Sequence, residues 1–145
     1  MGEDFFSLIG DTLIKIAIPI FLVNITFWGL YLTRLYQLML ASNIEKNPEW
    51  VTPMRSQFYY IDIIVCALIY LGTAAYAIAL RRTGMFTKNA CNSYFALSLL
   101  FFLFDILPPS LPEPFSTLNF IVSIPAVPFY FPYFIGINLL RRVGN

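Results

Sequence analysis

The stretch Ile63–Leu80 reads IIVCALIYLGTAAYAIAL and carries no charged residue. A bilayer core is covered by roughly 20 apolar residues of helix rising about 1.5 Å each, so this run has the length of a membrane-crossing helix. Working outward from it, three further uncharged runs appear: Ile16–Thr33 before it, then Asn89–Phe104 and Phe115–Leu140 after it. Lys15 and Arg34 lengthen the first, because their aliphatic stems stay with the helix while their charges reach the headgroups. The third is the shortest, stopped by Asp105 and the proline-rich segment Pro108–Pro114. The sequence therefore predicts an all-α, integral membrane four-helix bundle, a single domain over 1–145 with spans at about 12–36, 59–80, 88–105 and 115–140.

Composition agrees with lipid as the main solvent. The chain has 145 residues, 59% hydrophobic and 12% charged, where a soluble domain has about a quarter charged. A net charge of +1 supplies no field for nucleic acid. The lack of histidine removes the commonest general base and metal ligand. There is no CxxC, HExxH or GxSxG and no phosphate-cradling glycine loop, so neither an enzyme nor a bound metal or cofactor is expected. Cys66 and Cys91 fall at very different depths and read as unpaired small hydrophobes.

An even number of spans puts both termini on one side together with the loop after the second span. That side collects Lys15, Arg81, Arg82, Lys88, Arg141 and Arg142, against Arg34, Lys46 and Arg55 on the other. The excess of basic residues predicts both termini on the cytoplasmic or matrix side.

Within the spans a few residues stand out. Gly72, Ala75 and Ala79 form a small-residue stripe on the second span, which marks the closest helix contact and makes this helix central. Pro125, Pro128 and Pro132 should kink the fourth helix and release the carbonyls of Ile121, Ile124 and Pro128. Such carbonyls must turn inward to a partner like Ser123. Asn24, Asp62, Asp105 and Asn138 are the polar residues expected at membrane depth. Asp62 and Asp105 fall near the same interface as Arg34 and Arg55, so ion pairs with those arginines are the plain expectation. The run Phe129-Tyr130-Phe131-Pro132-Tyr133-Phe134 is denser than interfacial anchoring requires. Asn24, Asp62, Phe129, Tyr130 and Tyr133 are thus the candidate ligand-binding set, an aromatic wall with one carboxylate suited to a hydrophobic cation.

Ile18-Pro19-Ile20-Phe21-Leu22 in the first span, Asn47-Pro48-Glu49-Trp50 ahead of the second, the Phe58-x-x-x-Asp62 spacing and Tyr130-Phe131-Pro132-Tyr133 in the fourth resemble the EXPERA family of sigma-2 receptor-like proteins and sterol isomerases. The resemblance implies cytoplasmic termini and a pocket for a sterol or amphipathic amine with an acidic anchor, for which Asp62 stands in place. The isomerase histidine is absent, and Asn24 or Ile25 stands where a further acid is expected. Arg81-Arg82 and the ending from Pro132-Tyr133-Phe134 to Arg141-Arg142-Val143 equally resemble small bacterial four-span membrane proteins of unknown function. The sequence expectation is a non-catalytic accessory, scaffold or assembly subunit, with the bilayer and other membrane subunits as partners. The alternative is an EXPERA-like binder of a sterol, lipid or amphipathic amine.

Overall fold

The computed structural model describes residues 4–44, 46–108 and 110–143, and every regular element among them is helical. Helix α1 (Phe5–Ile25) runs through a π-helical stretch, Thr26–Leu32, into α2 (Thr33–Ala41) without a break. Asp4 caps its start by accepting from the Phe6 amide at 3.4 Å. The π stretch has a packing consequence. Phe27 and Leu32 are five residues apart, a spacing that an α-helix sends to different faces and a π-helix brings together. Both are buried, in a cluster with Val51. Asn43 ends α2 at φ 52°, with its own amide on the Leu40 carbonyl and the Ile44 amide on that of Met39. This is a Schellman stop with asparagine in the left-handed position.

Helix α3 (Val51–Thr83) ends at Gly84, whose φ of 69° suits a residue without Cβ. Helix α4 (Lys88–Asp105) is capped by Thr87, which accepts from the Ala90 amide at 3.3 Å. Helices α5 (Phe115–Val122) and α6 (Val127–Val143) meet at an angle of 56°. The break between them holds Pro125, which has no amide to give a helix.

Two helices are long and apolar enough to cross a membrane, Phe5–Ala41 and Val51–Thr83, and the bent pair α5–α6 makes a third if counted as one span. Helix α4, the expected third span, is not among them. Its first turns carry Lys88, Asn89, Asn92 and Ser93, and it ends on Asp105.

Helix α3 is the central element, touching α1, α4 and α6. Its contacts fix the directions of its neighbours. Asp4 meets Arg82 at one end of α1 and Phe27 meets Phe58 towards the other, so α1 and α3 are antiparallel. Tyr70 meets Phe101 while Arg81 meets Asn92, so α4 runs back against α3. Helix α6 descends alongside α3, with Phe129 on the cluster of Ala17, Val65 and Ile69, and Ile135 beside Leu80. Residues near both termini therefore lie at the same end as the α3–α4 turn, where Arg142 also hydrogen-bonds the Met85 carbonyl. Gly72 lies where α3 and α1 approach one another tightly: a Cβ on Gly10 would stand 2.9 Å from the Gly72 carbonyl oxygen. Ala75 and Ala79 are buried along the same helix.

Candidate functional site

At the end away from the termini, three helices and the α5–α6 break deliver polar groups into the interior. Asn24, in the last turn of α1, is fully buried and donates its side-chain amide to Asp62 of α3 at 2.8 Å. Asp105 closes α4 and is also fully buried, accepting from the Ser123 hydroxyl at 3.0 Å. Ser123 caps the C-terminus of α5, so the break itself brings this donor inward. Cys66, one turn along α3 from Asp62, packs in one cluster with Val122 and with Phe104, the residue before Asp105, which places the two carboxylates around the same part of the interior.

The cluster is short of donors. Asn24 Oδ1 and Asp105 Oδ2 are buried and accept no hydrogen bond, a condition costing about 1–3 kcal/mol per group in ordinary interiors. The expected pairing with arginine is corrected by the structure. Among the described residues the ion pairs are Lys15 with Asp11 at 2.6 Å and Arg82 with Asp4 at 3.3 Å, neither involving Asp62 or Asp105. Arg34 is exposed, and the Arg55 guanidinium sits 6.0 Å from the Trp28 ring. Shared depth did not mean shared azimuth.

Two further polar contacts shape the site. Tyr70, fully buried, donates its hydroxyl to the Val122 carbonyl at 2.8 Å. Asn119 donates to the carbonyls of Phe104 at 2.7 Å and Leu107 at 3.0 Å, closing the C-terminal end of α4 with a side chain from α5. The carbonyls expected to be free differ from those found. Ile121 accepts from Ile124 at 3.2 Å and Ile124 from Val127 at 2.9 Å, both within local turns, leaving Val122 as the carbonyl that takes an outside partner.

Of the candidate set, Asn24 and Asp62 are brought together. Phe129 is half-buried, its ring centroid 4.6 Å from that of Phe21. Tyr130 and Tyr133 do not join them: they are 56% and 61% exposed and lie beside Phe134 on the outer face of α6. The inward face of that helix belongs to Phe131, packed with Tyr70 and Phe101, and to Ile135. Sequence reasoning left Asp105 out of the set and missed Asn119. Its available signal was the four-residue spacing to Ser123, which puts the two on one helical face. Asn138 is half-buried in α6, outside this cluster.

Among the described residues no group of three or more His, Cys, Asp or Glu side chains is arranged to hold a metal. What the cluster can do chemically is accept hydrogen bonds and balance positive charge. Comparisons of the chain with protein-family models, with curated proteins and with solved structures found no match.

Proposed function

We propose that this chain is a non-catalytic integral membrane protein that binds an amphipathic amine, its hydrophobic body of lipid or sterol class, through Asp62 with Asp105 and Asn24 behind it. The observation that carries this reading is a pair of interior carboxylates with no cationic partner among the described residues, one of them with a buried unpaired oxygen and the other bonded to Asn24, whose own Oδ1 is likewise buried and unpaired. Burial strengthens each charge interaction relative to water. A protonated amine would supply the missing donors and the missing charge together. Asp62 is the half-exposed member and thus the point of access. The acidic anchor is the feature that the EXPERA resemblance implies, and the reading extends that resemblance to binding without isomerisation.

The same proposal takes α4 and the bent α5–α6 pair as the third and fourth spans, with the bend owed to Pro125 and Pro128. It places both termini on the cytoplasmic or matrix side, supported by Arg81, Arg82, Lys88, Arg141 and Arg142 near one end. Binding of a long-chain alkylamine to the full chain in lipid nanodiscs tests the function, with the alkyl alcohol of equal length as control. The amine should bind more tightly, and Asp62→Asn should weaken it roughly tenfold, about the worth of one charge-assisted hydrogen bond. Equal binding of amine and alcohol overturns the reading.

A second reading keeps the accessory-subunit expectation, and the outward aromatic face of Tyr130, Tyr133 and Phe134 favours it. Exposed apolar area is ordinary in lipid, but three adjacent aromatics on one face suit packing against another membrane helix. A chain that leaves mild detergent as an amine-competent monomer, with nothing co-purifying, excludes this second reading.

A further inference from the structure

The end of the molecule nearest the termini carries a different kind of site. A groove of about 540 Å³ opens between α1, the last turns of α3 and the middle of α6, within the ~300–1,000 Å³ usual for small-molecule pockets. Its walls are mainly apolar, with Ile14, Leu80, Pro132, Ile135 and Leu139 facing it along the helices. Its rim is polar and charged. Asp4 lines the groove and uses Oδ1 for the Phe6 amide and for Arg82, while its Oδ2 is buried and accepts no hydrogen bond from the described residues. The Arg82 side chain lies over the Phe6 ring at 4.5 Å yet stays 59% exposed. Arg142 holds the carbonyl of Met85, another lining residue.

We propose that this groove binds an aminophospholipid of the phosphatidylethanolamine type. An acyl chain runs between α1 and α6, the phosphate meets Arg82, and the primary ammonium donates to Asp4 Oδ2. The charge pattern selects this occupant. An adjacent cation and anion, with one acceptor still open, match a zwitterionic headgroup that keeps N–H donors. Phosphatidylcholine has the same charges but no N–H to give. Phosphatidylglycerol offers hydroxyl donors but brings its net negative charge against the Asp4 carboxylate. The site lies at the other end of the helices from Asp62, and Asp4→Asn separates retention in this groove from retention of the same amine at Asp62.

Native mass spectrometry of the full chain, released from nanodiscs containing equal parts of the three lipids, tests it. Phosphatidylethanolamine should be retained over phosphatidylcholine by about tenfold, the scale of one charge-assisted hydrogen bond. Asp4→Asn keeps an oxygen for the helix cap but replaces the open acceptor by a donor, and should abolish that preference. Gly136→Leu should lower retention of all three lipids: Gly136 lines the groove, and a Cβ there meets nothing within 4 Å, so a side chain starts into open space at this position. Glu113→Gln, exposed on the α4–α5 segment and outside the groove, should leave the lipid preference unchanged. Equal retention of the three lipids, a preference for phosphatidylglycerol, or a Gly136→Leu chain that folds and retains lipid as before would each overturn the proposal.

Discussion

Asn24 of α1 and Asp62 of α3, 38 residues apart in the chain, are joined by a hydrogen bond of 2.8 Å. The bond ties the two longest apolar helices together near the end where α1 passes into its π stretch. Asn24 is held by this donation alone, its carbonyl oxygen being unpaired. Hydrogen bonds between helices in lipid contribute about 0.6–2 kcal/mol. A double-mutant cycle with Asn24→Ala and Asp62→Ala, followed by thermal unfolding in detergent, should return a coupling of about 1 kcal/mol. Strict additivity would mean that the contact contributes nothing to holding α1 on α3.

The glycines give a ranking. A Cβ at Gly10 would stand 2.9 Å from the Gly72 carbonyl oxygen, which is backbone and cannot step aside. A Cβ at Gly72 would meet Ile14 Cγ1 at 2.9 Å and the Gly10 carbonyl oxygen at 3.2 Å, so much of its clash is with a side chain. At Gly29 and Gly136 there is open space. Gly10→Ala should therefore destabilise most, by about 1–3 kcal/mol as for other overpacked contacts, and Gly72→Ala less. Gly29→Ala should be neutral or slightly stabilising, through helix propensity. Melting temperatures that fail to separate Gly10→Ala from Gly29→Ala would contradict the close crossing.

Much of the helical layout was legible before any coordinates. Uncharged runs mark where helices must lie, because a peptide backbone in lipid has to satisfy itself. Gly84 and Thr87 are stop and start signals of ordinary kind. The rotation of each helix about its axis was not legible. Asp62 could be assigned a depth, and Arg34 and Arg55 share it, but only the packed structure turns Asp62 towards Asn24. The aromatic run on α6 divides between faces for the same reason, since five aromatics within six consecutive residues must point all ways round a helix. The π stretch has no residue signature at all and is recognised only by Phe27 and Leu32 sharing a face.

The closure of the α4 end by α5 can be measured. Asn119→Leu removes the donor that serves the Phe104 and Leu107 carbonyls, and Tyr70→Phe removes the donor to Val122. Each leaves a carbonyl facing away from water, so each should cost about 1–3 kcal/mol. Hydrogen exchange should rise at the last turn of α4 for the first variant and around the α5–α6 break for the second. A uniform rise along the whole chain would instead indicate general loosening.

Glu113 precedes α5 in the segment between α4 and α5. Hydrogen bonds from Ser116 and then Thr117, the latter at 2.7 Å, hold its carboxyl below the usual glutamate range. A depressed folded-state value means that the ionised form is favoured by folding. Its contribution is therefore present above the unfolded value and lost as pH falls through the folded one. Thr117→Val should move the Glu113 titration, followed by carboxyl carbon chemical shift, back up towards the ordinary value. An unchanged titration would show that Thr117 does not hold the carboxylate in solution.

Topology provides the sharpest test of the four-span arrangement. The paths of α1, α3, α4 and α6 bring Asp4, Arg82 and Arg142 to one end, and leave the α2–α3 and α4–α5 connections at the other. Both native cysteines, Cys66 and Cys91, are buried and contribute little background to a thiol-labelling experiment. Single cysteines at Lys88 and Arg141 report the end near the termini, and those at Ser42 and Ser110 the other, all four positions being exposed. A membrane-impermeant maleimide added to sealed cells should label Ser42→Cys and Ser110→Cys directly. Lys88→Cys and Arg141→Cys should react only after the membrane is opened, as the proposed cytoplasmic placing of the basic end requires. If α4 only rests on the membrane, Ser110→Cys stays on the side of Lys88→Cys and the two label together. If α5–α6 is a re-entrant pair, Arg141→Cys labels with Ser110→Cys. Either pattern replaces the four-span arrangement with a specific alternative, since each passage is read by the pair of cysteines that brackets it.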